Sequence, residues 1–391
     1  MKKYLIFTAI LAFGLLSCEK GELLNSEADI VEIILPDWLG NVGAPLITTS
    51  SDTIRIPMLA VEEKDRIILA EQLENLTLQF VLTDGATISP SPNEPKNFNF
   101  PQKYTVSSED GKWAKEYTIV FYYPVFNNTT FDFETAQLNS TGHYYEFFEF
   151  NLLLEEEQKV WASGNPGFRL TAATRPPEDY PTVSVANGRT GKGLKLTTLS
   201  TGSFGLLVGL PIAAGNLFLG NFELANATSA PLKATKFGVQ TTLSKPKSLD
   251  MWVKYKPGEK FVIPNGNRPP IEVPGRTDKP CMYAVFFEPE RNAERQPIML
   301  DGENVKTAPN IVSIAVISHE QIESIITDDI DNGAYKFISI PFEHRQNFDE
   351  AKQLRGEYYF TIVFSASEYG DLFEGAVGST LYVDDVQLVL E

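Results

Sequence analysis

The sequence contains little cysteine and little histidine for its 391 residues. Cys18 lies in an N-terminal leader, and Cys281 lies in an apolar segment typical of a buried strand, so we predict no intrachain disulfide. The three histidines lack metal-binding spacing such as H-x-x-x-H, and Gly-x-Ser-x-Gly is absent. The sequence therefore indicates neither a histidine metal centre nor a serine-hydrolase nucleophile.

Basic charge is also scarce. The chain has 33 Lys and Arg against 51 Asp and Glu, which gives a net charge of −18. Because phosphate binding needs clustered Lys and Arg, we predict no nucleic-acid partner. Neutral ligands such as sugars are compatible with this charge.

The apolar run at residues 4–16 is too short for a spanning helix, which needs about 20 residues. With Lys2 and Lys3 before it, the run is typical of a signal peptide over residues 1–17. Leu15-Leu16-Ser17-Cys18 resembles a bacterial lipobox, which implies that Cys18 is acylated and anchors the protein to a lipid bilayer. The alternative is an ordinary cleavage site with an incidental cysteine. The resemblance to Bacteroidetes lipoproteins implies an outer-membrane location, on its periplasmic or cell-surface side.

Residues 18–27 form a polar tether, and residues 28–124 show short strands with alternating apolar positions. Asp110-Gly111 between two such strands predicts a hairpin. We expect a small antiparallel sandwich in this part. It resembles the immunoglobulin-like domains that precede catalytic or binding modules in Bacteroidetes surface proteins, which implies a spacer role.

Residues 125–391 are also rich in strands, and helical patterns are scarce apart from HEQIESIIT after Ser318. This pattern predicts a second, larger all-β domain, a jelly roll or related sandwich. The segment contains, in this order, the motifs FDFE (131–134), WASGNPGF (161–168), AAGNLFLGNF (213–222), PLKATKFG (231–238), MWVKYKPG (251–258), YAVFFE (283–288) and SASEYGDLFEGAVGSTLYVDD (365–385). In these motifs it resembles the Bacteroidetes family called the putative carbohydrate metabolism domain. The resemblance implies a jelly roll similar to carbohydrate-binding modules and linked to glycan use.

The last strand contains two adjacent aspartates, Asp384 and Asp385, where its alternation of apolar residues slips by one. This slip predicts a β-bulge. Similar jelly rolls hold a structural calcium here, which would place Glu134 with the two aspartates as ligands. The alternative is that the aspartates accept backbone N–H bonds at the bulge or pair with a basic residue.

Sugar binding usually needs exposed aromatic rings and polar side chains. Trp161, Asn165 and Phe168 fit this chemistry in a glycine-containing loop, and Trp252 and Tyr255 are the other candidates. Trp252 and Tyr255 have opposite parity on one strand, so at most one of them faces a ligand. The alternative is that both tryptophans belong to the core.

We therefore predict a membrane-anchored lipoprotein that binds a poly- or oligosaccharide. A glycoside hydrolase is the first alternative. Such an enzyme needs two carboxylates that lie roughly 5–10 Å apart in space. No spacing of Asp and Glu along the sequence identifies such a pair. A structural or adhesive surface protein is the second alternative.

Overall fold

The computed structural model describes residues 24–48, 51–59, 63–123, 125–151, 156–172, 174–293 and 296–391. The predicted signal peptide, Cys18 and most of the predicted tether lie outside the described residues. Among the described residues, no helix has the length and apolar character needed to cross a membrane.

The N-terminal part combines two small sheets with one helix. Its elements are β1 (Ile30–Ile34), β2 (Thr53–Pro57), α1 (Glu63–Leu73), β3 (Gln79–Leu82), β4 (Thr87–Ser89), β5 (Gln102–Ser107) and β6 (Ala114–Tyr122). Strands β1 and β3 pair with each other, and the second sheet has the order β2-β6-β5-β4. The predicted hairpin is confirmed, because β5 and β6 are antiparallel and Gly111 takes a positive φ of 69° in the turn.

Two features of this part differ from the expected antiparallel sandwich. Strands β2 and β6 are parallel, with Ile54 opposite Ile119, which is possible because a long stretch of chain separates them. Helix α1 lies in that stretch and was not predicted. Leu69 and Leu73, four residues apart on one helix face, are buried in the core of this part.

The C-terminal part is a β-sandwich with short helices in its loops. Its strands are β7 (Thr130–Phe131), β8 (Ala136–Leu138), β9 (Tyr145–Phe147), β10 (Glu149–Asn151), β11 (Glu156–Gln158), β12 (Trp161–Ala162), β13 (Thr182–Val185), β14 (Gly193–Thr197), β15 (Leu199–Ser200), β16 (Ile212–Ala213), β17 (Asn216–Phe222), β18 (Thr235–Phe237), β19 (Val239–Thr241), β20 (Pro246–Lys256), β21 (Phe261–Ile263), β22 (Ile271–Glu272), β23 (Cys281–Phe287), β24 (Ile311–Val316), β25 (Lys336–Pro341), β26 (Glu343–His344), β27 (Tyr358–Ser365), β28 (Gly375–Ala376) and β29 (Thr380–Leu390). Its helices are α2 (Asn165–Arg169), α3 (Gly202–Leu207), α4 (Pro231–Ala234), α5 (His319–Ile325) and α6 (Glu350–Leu354). Short 3₁₀ turns occur at Pro177–Asp179, Leu224–Asn226 and Gly370–Leu372.

Two large sheets enclose the main core. One has six strands in the order β13-β14-β29-β20-β25, with β7 beside β29. The other has eight strands and follows β12-β17-β27-β23-β24-β26, with β18 beside β17 and β19 beside β27. Inward residues of β20, such as Leu249, Met251 and Val253, pack against Phe286 and Phe364 of the facing sheet. The predicted all-β class is confirmed.

The eight-stranded sheet is buried on both faces, which explains why every residue of β23 is buried. Its outer face supplies Phe218, Phe237 and Tyr283 to a second hydrophobic cluster. Leu300 and Val305, from the loop before β24, cover part of this cluster.

Candidate functional site

The last strand has the predicted bulge, which consists of Asp385 and Val386 and directly follows Asp384. Asp250 lies opposite Gln387 and Trp252 lies opposite Asp384, so two residues of β29 face Met251 alone. Asp385 has a φ of 44°, which supplies the local twist. The bulge prediction is confirmed.

Asp384 is fully buried and accepts backbone N–H bonds at both carboxylate oxygens. Its Oδ2 accepts the N–H groups of Arg189 at 2.6 Å and Thr190 at 3.1 Å, and its Oδ1 accepts that of Asp385 at 2.8 Å. Burial is the largest influence and raises the pKa of Asp384, whereas these N–H groups lower it. Asp385 accepts hydrogen bonds from the Arg189 guanidinium at 2.5 Å and the Thr190 hydroxyl at 3.1 Å.

Glu134 contacts the loop between β13 and β14, which also contains Arg189 and Thr190. Its Oε1 accepts the N–H of Lys192 at 2.9 Å, and a Cβ on Gly191 would lie 1.8 Å from this oxygen. Because protein N–H groups and not open space surround these carboxylates, Glu134, Asp384 and Asp385 do not fit a calcium site in this arrangement. Within the described ranges, no three His, Cys, Asp or Glu side chains are grouped so that they could hold a metal.

Trp161 lies in the core and not on the surface. It is 1% exposed, and its ring packs against Phe131 at 5.4 Å and Phe364 at 6.2 Å between centroids. Its Nε1–H donates to Glu149 Oε1 at 2.8 Å. The expectation of an exposed ring is therefore wrong, because a strand of the main sheet begins at this residue.

The other two residues of that loop are also buried. Asn165 is inaccessible, and its amide donates to the carbonyl of Thr182 at 2.7 Å and accepts the N–H of Thr182 at 3.2 Å. Phe168 is 3% exposed and packs on Tyr180 at 5.5 Å between ring centroids. Asn165 thus fixes α2 to β13, and the predicted exposure of this loop is wrong for both residues.

Trp252 and Tyr255 lie on opposite faces of β20, as strand alternation predicts. Tyr255 is fully buried and its hydroxyl donates to the carbonyl of Ala366 at 3.1 Å. Trp252 is half-buried on the outer face, where the Arg189 guanidinium lies 3.9 Å from the ring centroid and the exposed Phe337 ring lies 5.5 Å away. Of these two residues, only Trp252 keeps the surface position that a ligand contact needs.

A cleft opens on the outer face of the eight-stranded sheet. Its cavity measures about 170 Å³, and residues 164–171, 201–210, 227–237, 302–306 and 363–373 contribute to its walls. A water molecule needs roughly 10–15 Å³ of such space, so the cleft has room for a ligand as large as a sugar ring. Phe218, Phe237 and Val363 form part of its floor, and Phe204 lines its rim with 46% of its surface exposed.

One side of this cleft is charged. Lys306, Glu368 and Asp371 line it, and the Lys306 ammonium lies 5.5 Å from the ring centroid of Tyr283. Asp371 is exposed as a whole residue. Protein atoms nevertheless surround its carboxyl group, and this burial raises its pKa, whereas the positive charge of Lys306 lowers it. Burial raises the pKa of the nearby Cys281 thiol to about 11, so this cysteine is not a thiolate nucleophile.

A second cavity, of about 340 Å³, lies where the N-terminal and C-terminal parts meet. Its charged groups already form ion pairs, Arg355 with Glu357 at 2.5 Å and Glu288 with Lys352 at 2.7 Å. The cleft on the eight-stranded sheet combines an apolar floor with convergent charged groups, which is the usual character of a small-molecule site. It is therefore the better candidate.

The comparisons with known proteins agree with the sequence resemblance. The family described as "Putative carbohydrate metabolism domain" matches residues 132–389. The chain belongs to this family. A second family, described as "SGBP, N-terminal", matches residues 66–120. No curated protein matches the chain.

Two solved structures from Bacteroides are similar to the chain. One, from Bacteroides thetaiotaomicron and described as a putative glycoside hydrolase, is 37% identical, covers 95% of this chain and 98% of its own, and has a TM-score of 0.59. The other, from Bacteroides vulgatus and described in the same words, is 38% identical, covers 67% of this chain and 98% of its own, and has a TM-score of 0.57.

The whole cleft lies inside the carbohydrate metabolism domain match. Phe168, one of the predicted ligand residues, lines it, but sequence reasoning did not assemble the rest because the lining comes from many separate segments of the chain. Several motifs of the resemblance supply lining residues, among them WASGNPGF and SASEYGDLFEG, and the second of these contains Glu368 and Asp371. Glu368 directly follows the buried Ser367, two residues after the end of β27, and Asp371 lies in the 3₁₀ turn that comes next. The two carboxylates therefore reach the cleft from one short stretch of chain.

Proposed function

We propose that this protein binds a glycan in the cleft on the outer face of its eight-stranded sheet. The observation that carries the proposal is the combination of an apolar floor with charged groups on one side, in a chain of a carbohydrate metabolism family. The apolar part of the ligand packs on the floor and on Phe204. Lys306 donates to ring hydroxyls, and Glu368 and Asp371 accept from them.

We further propose that the protein acts at the cell surface as a lipoprotein. The match to the SGBP N-terminal family, whose name points to surface glycan binding, supports this location. In this proposal acylated Cys18 anchors the chain and residues 28–124 act as a spacer. An anchored array of weak binding sites retains a multivalent polysaccharide better than free copies do.

Binding to a broad glycan panel tests the proposal. The purified protein is expected to bind one glycan class, and Phe204→Ala is expected to weaken that binding about tenfold through lost ring contact. Trp252→Ala, which alters the outer face of the six-stranded sheet, is the matched control and should leave the affinity unchanged. Binding lost only in Trp252→Ala would place the site on that sheet instead, and no binding to any glycan would refute the proposal.

A glycoside hydrolase is the second candidate. It is favoured by the two carboxylates that line one cleft, one of them with a raised pKa, and by the description of the two similar structures. A raised pKa is the property that a general acid needs. If the protein cleaves the glycan that it binds, Asp371→Asn and Glu368→Gln should each abolish product formation while binding persists. An intact glycan after prolonged incubation would rule out this candidate.

A further inference from the structure

Most of the neutral polar side chains of the cleft already form hydrogen bonds within the protein. Six of the hydroxyl and amide side chains that line it donate a hydrogen bond to a protein acceptor. These are Thr171, Thr201, Asn216, Thr235, Ser365 and Ser367. Ser367 is the clearest case, because its hydroxyl donates at 2.6 Å to the buried carboxylate of Asp278. These six donors therefore stabilise the walls of the cleft and are not directed at a ligand.

The remaining lining is apolar over a large area. Leu210, Phe218, Phe222, Phe237 and Val363 all contribute to it. A sugar hydroxyl buried against such a surface loses its hydrogen bonds to water and gains none. Each unpaired hydroxyl of this kind lowers affinity by on the order of tenfold or more. A fully hydroxylated sugar is thus matched to the charged side of the cleft but mismatched to the rest.

We propose that the glycan recognised in the cleft carries an ester-linked acyl group. This inference rests on the proposed function and names the class of ligand. The acyl group fills the apolar part beside Phe204, where its burial is favourable and needs no donor. The sugar ring that bears it lies on the charged side, within reach of Lys306, Glu368 and Asp371.

Saponification provides the test, because alkali removes ester-linked acyl groups and leaves the glycan backbone intact. A panel of O-acetylated and O-aroylated polysaccharides is measured beside the alkali-treated form of each. The wild-type protein is expected to bind the acylated form of its preferred glycan at least tenfold more tightly than the saponified form. Equal affinity for the two forms overturns the inference and leaves the proposed function standing, whereas no binding to either form overturns the proposed function itself.

Two variants locate the acyl group. Phe204→Ala should weaken binding of the acylated form about tenfold and leave binding of the saponified form unchanged, so that the preference for the acylated form disappears. Phe150→Ala is the matched control, because Phe150 is an aromatic residue of similar exposure, 49% against 46%, on β10 and away from the cleft. A preference for the acylated form that survives in Phe204→Ala would contradict the assignment of the acyl group to this cleft.

Discussion

Glu149 offers the sharpest test of the core as described. It is 8% exposed, and its carboxylate accepts the indole N–H of Trp161 at 2.8 Å. Burial is the largest influence and raises its pKa from 4.5 to about 7, with a smaller contribution from the charge of Asp132. The hydrogen bonds from Trp161 and Asn128 oppose this rise but do not cancel it. Near pH 7 the folded protein therefore holds Glu149 protonated in about half of the molecules, whereas an ordinary glutamate is ionised.

The sign and size of the effect follow from linkage. Because the pKa is higher in the folded protein, the folded state still holds a proton between pH 4.5 and about 7 that the unfolded chain has already released. The contribution of Glu149 to stability therefore falls as pH rises through this window. At about 1.4 kcal/mol per pH unit, the full loss is about 3 kcal/mol by pH 8. Glu149→Gln removes the charge and keeps an oxygen that can accept from Trp161.

Urea unfolding of the wild type and Glu149→Gln, followed by tryptophan fluorescence, measures this contribution. The two proteins should be similarly stable near pH 4.5, and the variant should be more stable by about 3 kcal/mol at pH 8. Trp161→Phe removes the N–H donor that lowers the pKa of Glu149. In this variant the loss of stability with rising pH should therefore continue to a higher pH than in the wild type. A stability difference between wild type and Glu149→Gln that stays constant from pH 4.5 to pH 8 would refute the reasoning.

Two further predictions concern the last strand and the leader. Asp384→Ala leaves three backbone N–H groups without their acceptor and should lower the free energy of unfolding by roughly 3 kcal/mol. Chelation should leave the melting temperature of the wild type unchanged. A lower melting temperature on chelation would restore the calcium prediction. Cys18→Ala should abolish incorporation of labelled palmitate and release the protein from the membrane fraction, whereas continued labelling would exclude Cys18 as the acylated residue.

The sequence predicted those features whose cause lies within one or two neighbouring strands. The slip in alternation at Asp384 and Asp385 predicted the bulge, and Asp110-Gly111 predicted the hairpin. The opposite parity of Trp252 and Tyr255 correctly separated the buried ring from the outer one. In each case the cause is local, either the period of two along a strand or the positive φ that Gly111 takes in the turn.

The features that the sequence did not predict depend on distant parts of the chain. The glycines around Trp161, Asn165 and Phe168 suggested an exposed loop, but contacts with distant segments bury all three residues. Gly164 is present for a packing reason, since a Cβ there would lie 3.1 Å from the Asn216 amide nitrogen. The cleft could not be predicted from local spacing, because long-range packing alone brings its separate segments together.

The two outer faces of the sandwich differ in a way that favours the cleft as the ligand surface. On the six-stranded sheet, the Lys254 ammonium lies 4.6 Å from the ring centroid of Tyr382 and 5.0 Å from that of Tyr335, and Arg189 lies 3.9 Å from that of Trp252. Each such contact is worth roughly 0.5–2 kcal/mol, and a sugar that stacked on these ring faces would have to displace it. In the cleft, the exposed part of Phe204 stands at the rim of an open cavity, so a ligand there displaces water instead of a cation.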